Sequence, residues 1–220
     1  MKMPKEKKSD VNQVTDKHHR WLTLNRIEAL TDGIFAIVMT LLVLSIDLPQ
    51  KVELLNQSQI KVFLQSQGHV LYIYMLSFMI LAKFWTAHHS QFSHLRATNP
   101  THLWLNIIFL MFTALLPFTS DLAGELPIYW VSQIPFHLNM FLISVSFLLS
   151  WQYASKNRRL LKDDVSENLI KYILLKSWVT PLVAMICMIV AFIIPAYSSI
   201  PYLLIPMIHS FIRSRFKNKS

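Results

Sequence analysis

The sequence predicts an all-α integral membrane protein with six transmembrane helices, and three observations predict it. Of its 220 residues, 53% are hydrophobic and only 15% are charged, too oily a balance for a soluble domain of this size. The charge comes in blocks, and Leu103–Ser120, Leu126–Ser155 and Ser177–Ile212 contain no Lys, Arg, Asp or Glu. A run of about 18 such residues is long enough to cross a bilayer. The net charge of +9 gathers between these runs, as Lys and Arg do on cytoplasmic loops, so no nucleic-acid partner is needed to explain it.

Residues 1–25 are polar and basic. They lack the apolar region of a signal peptide before Trp21 and read as a cytoplasmic leader. The first helix covers about 26–48, with Asn25 as N-cap, Glu28 in a capping-box position and Pro49 as its stop. At 1.5 Å per residue it reaches roughly 34 Å, enough to cross. The polar loop 50–67 has room for a short amphipathic helix around Val52–Leu64. A second helix follows at about 69–88, with Lys83 near its end placed to snorkel to the headgroups. The third covers about 102–120 and is kinked by Pro117; the fourth covers about 128–151. Beyond the basic loop 152–171, a fifth helix at about 176–194, kinked at Pro181, and a sixth at about 202–213 flank a break at Pro195–Pro201. These helices make 26–213 one domain, and 214–220 is a basic tail.

Charge distribution selects the count. With six crossings, every Lys and Arg except Lys51 and Lys61 lies on the side of the two termini. Five crossings would export Arg213, Arg215, Lys217 and Lys219, against the positive-inside rule. The expectation is a multi-pass protein of the cell membrane with both termini cytoplasmic. The loop Lys156–Lys171 has the composition that attracts anionic lipid.

The first helix carries the residues of interest. Asp32 lies nearly two turns in, where an unpaired carboxylate is costly, and Glu28 is its like-charged neighbour at i−4. Arg26 and His88 are candidate partners. Two readings stay open: a polar clamp locking the helix to its neighbours, or a site for a permeating ion or proton. A transporter or proton pathway using Asp32 and His88 is therefore the alternative function.

Ile37, Thr40, Leu41 and Leu44 recur on another face, about 140° from Asp32. Packing or lipid contact explains this pattern, as does a narrow apolar constriction in a symmetric assembly, gating by dewetting. Asn106 on the third helix suits an interhelical hydrogen bond. His88 and His89 are adjacent and diverge on a helix, so no metal site is expected. The chain holds three glycines, which leaves no phosphate loop and no TVGYG filter. No nucleophile pattern or metalloprotease motif is present, so neither an enzyme nor a cofactor is expected. The lone Cys187 excludes an intramolecular disulfide.

The run Arg26-Ile-Glu-Ala-Leu30-Thr31-Asp32, followed by Ala36-Ile37 and Thr40-Leu41-Leu42, resembles the signature helix of the transmembrane protein 175 family of endosomal and lysosomal potassium channels and their bacterial homologues. Phe84-Trp85-x-x-His88, and Asn106 with Leu116-Pro117-Phe118, are similar to its second and third helices. Leu30 and Thr31 stand where the family has Phe and Ser: the hydroxyl is kept and the ring is lost. The resemblance implies a potassium-permeable leak channel, a homotetramer with the first helix lining a central pore and potassium as permeant. It implies that Ile37, Thr40, Leu41 and Leu44 form the constriction, with Ile37 in place of the more usual leucine. Arg26, Thr31, Asp32, His88 and Asn106 would be the polar network behind it.

Overall fold

A computed structural model describes residues 23–46 and 56–217; the leader up to residue 22, the expected stop at Pro49 and residues 218–220 lie outside them. The described chain is helical. Its elements are α1 (Leu24–Leu41), α2 (Gln57–Ser66), α3 (Gly68–Ser93), α4 (Pro100–Ala114), α5 (Leu116–Glu125), α6 (Trp130–Ser155), α7 (Glu167–Ile193) and α8 (Ile205–Lys217). A 3-10 turn, Leu42–Ser45, continues α1. Five stretches are long and apolar enough to cross a membrane: Leu24–Ser45, Gly68–Ser93, Pro100–Glu125, Trp130–Arg158 and Glu167–Ile193.

Several boundaries differ from expectation for local reasons. Asn25 lies inside α1 and does not cap it: the helix begins one residue earlier, where the Thr23 carbonyl accepts from the Arg26 and Ile27 amides. The capping box forms instead on α2, where Asn56 and Gln59 bond each other's backbone amides reciprocally at 2.9 Å. α7 starts at Glu167 rather than near 176. Ser166 caps it by accepting from the Leu169 amide, and an acidic residue occupies the first turn. Charge in that segment marks the solvated end of a helix, not a loop.

Prolines act according to position. α4 and α5 are separate helices meeting at Leu115, because Pro117 cannot donate to the carbonyl of Thr113. α6 and α7 run on through Pro135 and Pro181.

α6 is the centre of the bundle, with 61% of its apolar window buried against 28% for the first span. It packs on α4, α5 and α7. A four-ring cluster joins the helices at mid-height: Phe109 has its centroid 5.9 Å from Phe35, 6.1 Å from Phe84 and 5.4 Å from Phe147. Gly124 is where α5 meets α3, and a Cβ there would sit 3.3 Å from Val70 Cα. Beyond one end of the bundle, the loops after α3 and α6 clasp through an antiparallel bridge at Leu95 and Leu161.

After α7 the chain makes two 3-10 turns, Pro195–Tyr197 and Ile200–Leu204, before α8. The turns are pinned by buried His137 of α6, whose ring nitrogens bond Ser198 Oγ at 2.9 Å and Tyr202 Oη at 3.3 Å. The sixth helix expected over 202–213 is thus a 3-10 entry followed by an α-helix reaching Lys217. α8 is amphipathic, with Ile205 and Ile212 in the core and Arg213 exposed.

Candidate functional site

α1 has two faces. Ile27, Thr31, Phe35 and Val38, then Leu42 on the 3-10 turn, are buried at the spacing of three and four that keeps one side inward. Phe35, 1% exposed, enters the ring cluster beside Phe109. The other side is bare: Ile37 is 59% exposed, Leu41 42% and Leu44 67%. Thr40 is exposed too, and its hydroxyl donates to the Ile37 carbonyl at 2.7 Å, so it is held by its own helix. The change to a 3-10 turn after Leu41 affects their register. Residues three apart eclipse in a 3-10 turn, which brings Leu44 over Leu41 rather than off to one side.

The expected polar network divides into two separate bonds. Trp85 Nε1 donates to Asp32 Oδ1 at 2.8 Å, tying α1 to α3. His88, 3% exposed, bonds Asn106 of α4 at 3.0 Å and makes no hydrogen bond to Asp32. The Asn106 amide nitrogen donates to the His102 carbonyl, so its oxygen is the acceptor and His88 carries its proton on Nε2. Phe92 stacks on the His88 ring at 4.0 Å, and Phe109 lies parallel to it at 5.9 Å. From this knot the polar path continues to Asn99, which caps α4 through the His102 amide and donates to Tyr153 Oη of α6 at 2.9 Å.

Thr31 is buried between these pairs, and its hydroxyl has no partner among the described residues. Arg26 is exposed at the start of α1 and bonds neither Asp32 nor Glu28. Glu28 instead lies 3.9 Å from His89 Nδ1 of α3. The structure therefore brings His88 to Asn106, leaves Arg26 apart, and gives Asp32 the partner that the sequence reading missed. The signal for Trp85 was its place in Phe84-Trp85-x-x-His88, one turn from His88 on α3, with an indole N–H needing an acceptor. His69 and His137, which hold the turns at the opposite end, were also overlooked as anchors.

The family model described as the endosomal/lysosomal potassium channel TMEM175 matches residues 26–117, from α1 to the start of α5. Over 139 residues the chain is 32% identical to a potassium channel of Chamaesiphon minutus, covering 62% of this chain and 68% of that protein. Over 106 residues it is 40% identical to the endosomal/lysosomal proton channel TMEM175 of Bos taurus, covering 45% of this chain but only 22% of the bovine one. In fold it is similar to the crystal structure of a lysosomal potassium-selective channel TMEM175 homolog from Chamaesiphon minutus, with a TM-score of 0.72 over 88% of this chain and 97% of the other, at 24% identity.

Proposed function

The chain belongs to the TMEM175 potassium channel family, and from that premise we propose that it conducts potassium passively across the cell membrane as a homotetramer, with four copies of α1 around a central pore. The observation that carries this reading is the division of α1 into a face buried in its own bundle and a bare apolar face. The first span is the least buried of the five candidates, so most of its surface is left for lipid or for other copies of the chain. Ile37, Leu41 and Leu44 are the side chains that copies would bring together, and Leu44 over Leu41 gives two apolar tiers with Thr40 beside them. Rings of this kind conduct when wetted and close by dewetting, with no carbonyl filter.

In this reading the segment from Ile200 to Lys217 makes a sixth crossing. Its 3-10 and α-helical parts together rise roughly 30 Å, and the crossing returns the basic tail to the side of the 94–99 and 156–166 loops. The Asp32–Trp85 bond then fastens the pore helix to α3, the His88–Asn106 bond ties α3 to α4 behind it, and neither carries ions.

The test is flux from purified protein in liposomes under a potassium gradient, with Ile37→Asn and Ile37→Cys. Asparagine wets the ring, so conductance rises and potassium over sodium selectivity falls. Wild-type flux and selectivity in both variants would take Ile37 out of the pathway.

A further inference from the structure

Lys83 was expected to lie near a helix end and reach the headgroups. It lies instead within α3, which continues to Ser93, and its Nζ is shielded from solvent with no hydrogen-bond partner among the described residues. A buried ammonium without a counter-charge is costly in any membrane protein. Its surroundings make matters worse. Coulombic repulsion acts on Lys83 from Lys176 of α7, and Arg213 of α8 acts in turn on Lys176. His209 of α8 faces both lysines; its Nε2 bonds the Lys176 carbonyl at 3.2 Å, and its Nδ1 is buried and unpartnered.

Three cations and an imidazole from three helices are thus linked as electrostatic neighbours, and none of the four residues forms an ion pair with a carboxylate among the described residues. Lys83 and Lys176 each lie roughly 15 Å along their helices from the ends joined to the basic loops. That places the cluster below the basic surface, in the half of the span nearer the basic loops. Arg213 is exposed and leaves a way in from the side.

We propose that Lys83, Lys176, His209 and Arg213 form a binding site for a phosphate group, entering between α3, α7 and α8 on the basic side of the membrane. Phosphate suits the site: Arg213 offers a planar fork, the two ammonium groups supply point charges, and the free Nδ1 of His209, left an acceptor because Nε2 donates to the Lys176 carbonyl, takes a hydrogen bond from a singly protonated phosphate. The site joins α8 to the two long helices α3 and α7. It is independent of the pore reading, because no residue of α1 takes part.

The test is native mass spectrometry of the purified chain with short-chain phosphatidic acid, phosphatidylcholine as the zwitterionic control, and inorganic phosphate as competitor. Phosphatidic acid is retained over phosphatidylcholine, and Lys83→Met and Arg213→Gln each weaken it roughly tenfold. Arg215→Gln, which removes an exposed charge two residues further along α8, leaves retention unchanged. Displacement by millimolar inorganic phosphate identifies the free ion as the occupant, whereas resistance to it identifies the lipid headgroup. Retention of phosphatidic acid in Arg213→Gln, or equal weakening by Arg215→Gln, overturns the site. Because Arg213 is exposed, its variant keeps the test valid even where Lys83→Met fails to fold.

Discussion

The indole of Trp85 and the carboxylate of Asp32 meet at 2.8 Å across α1 and α3, and no other side-chain hydrogen bond joins α1 to a second helix among the described residues. A carboxylate on an apolar helix is thereby given a neutral N–H donor instead of a counter-ion. Hydrogen bonds to charged groups contribute about 1.5–3 kcal/mol. Trp85→Phe and Asp32→Asn should each lower the melting temperature in detergent and reduce the yield of assembled oligomer. In a double-mutant cycle their coupling should come to about 1 kcal/mol. Additive effects would mean that the pair does not act as a unit.

Asn106 satisfies His88 and the His102 carbonyl together. Asn106→Ala leaves the buried His88 Nε2 unpaired, at about 1–3 kcal/mol, while the His102 carbonyl keeps its bond within the helix. Thermal unfolding in detergent should show that loss, while the potassium over sodium ratio of the surviving channels should stay at its wild-type value. A changed ratio would place His88 in the ion pathway.

The bare face of α1 can be mapped chemically, because the native thiol Cys187 is fully buried. Cysteine at Ile37, Leu41 or Leu44 should bind a methanethiosulfonate reagent and lose flux. Cysteine at Val38, on the inward face, should stay unlabelled in folded protein. Labelling of Val38→Cys with loss of flux, and none at Leu41→Cys, would reverse the two faces.

Asn157 and Arg158 both have positive φ, at 55° and 53°. The turn they make points the Arg158 guanidinium at the Lys162, Asp163 and Val165 carbonyls and at Glu167. Asparagine tolerates this backbone and alanine does not. Asn157→Ala should cost about 1 kcal/mol, and Asn157→Gly should come close to wild type, read as melting temperatures.

A sixth crossing puts Ser214 on the same side as Asp163, with Glu125 opposite. Single cysteines at 163 and 214 should therefore label only after permeabilisation of host spheroplasts, and one at 125 should label before it. Labelling at 214 in intact spheroplasts would leave α8 on the outer side.

What could be read from the sequence was whatever depends on periodicity and exclusion. The common face of Ile37, Thr40, Leu41 and Leu44 was legible from helical spacing, whereas the inward face of Thr31, Phe35 and Val38 was not read out, because the whole helix is apolar. The break near Pro117 was legible because a missing amide is a local defect. Partnerships were not. Asp32 had several polar residues within plausible reach, and only packing decided for Trp85 over Arg26 or His88. The start of α7 was hidden because Glu167 and Lys171 look like loop when charge is taken as a boundary. The site around Lys83 was hidden for the opposite reason: the cations come from three distant segments, and nothing in any one of them predicts that they meet.

The distribution of contacts along α1 sets its mechanics. Its directional ties, Asp32 to Trp85 and Glu28 to His89, fall in the half nearer Leu24. Beyond Phe35 the hydroxyls of Thr40 and Ser45 bond back to their own turns, and the helix is held to its bundle through apolar contact by Val38, Leu42 and the half-buried Met39. Apolar contact resists separation but hardly resists twist. The helix is clamped at the end nearer Leu24 and greased at the other, so its resistance to twist is lowest where Leu41 and Leu44 lie.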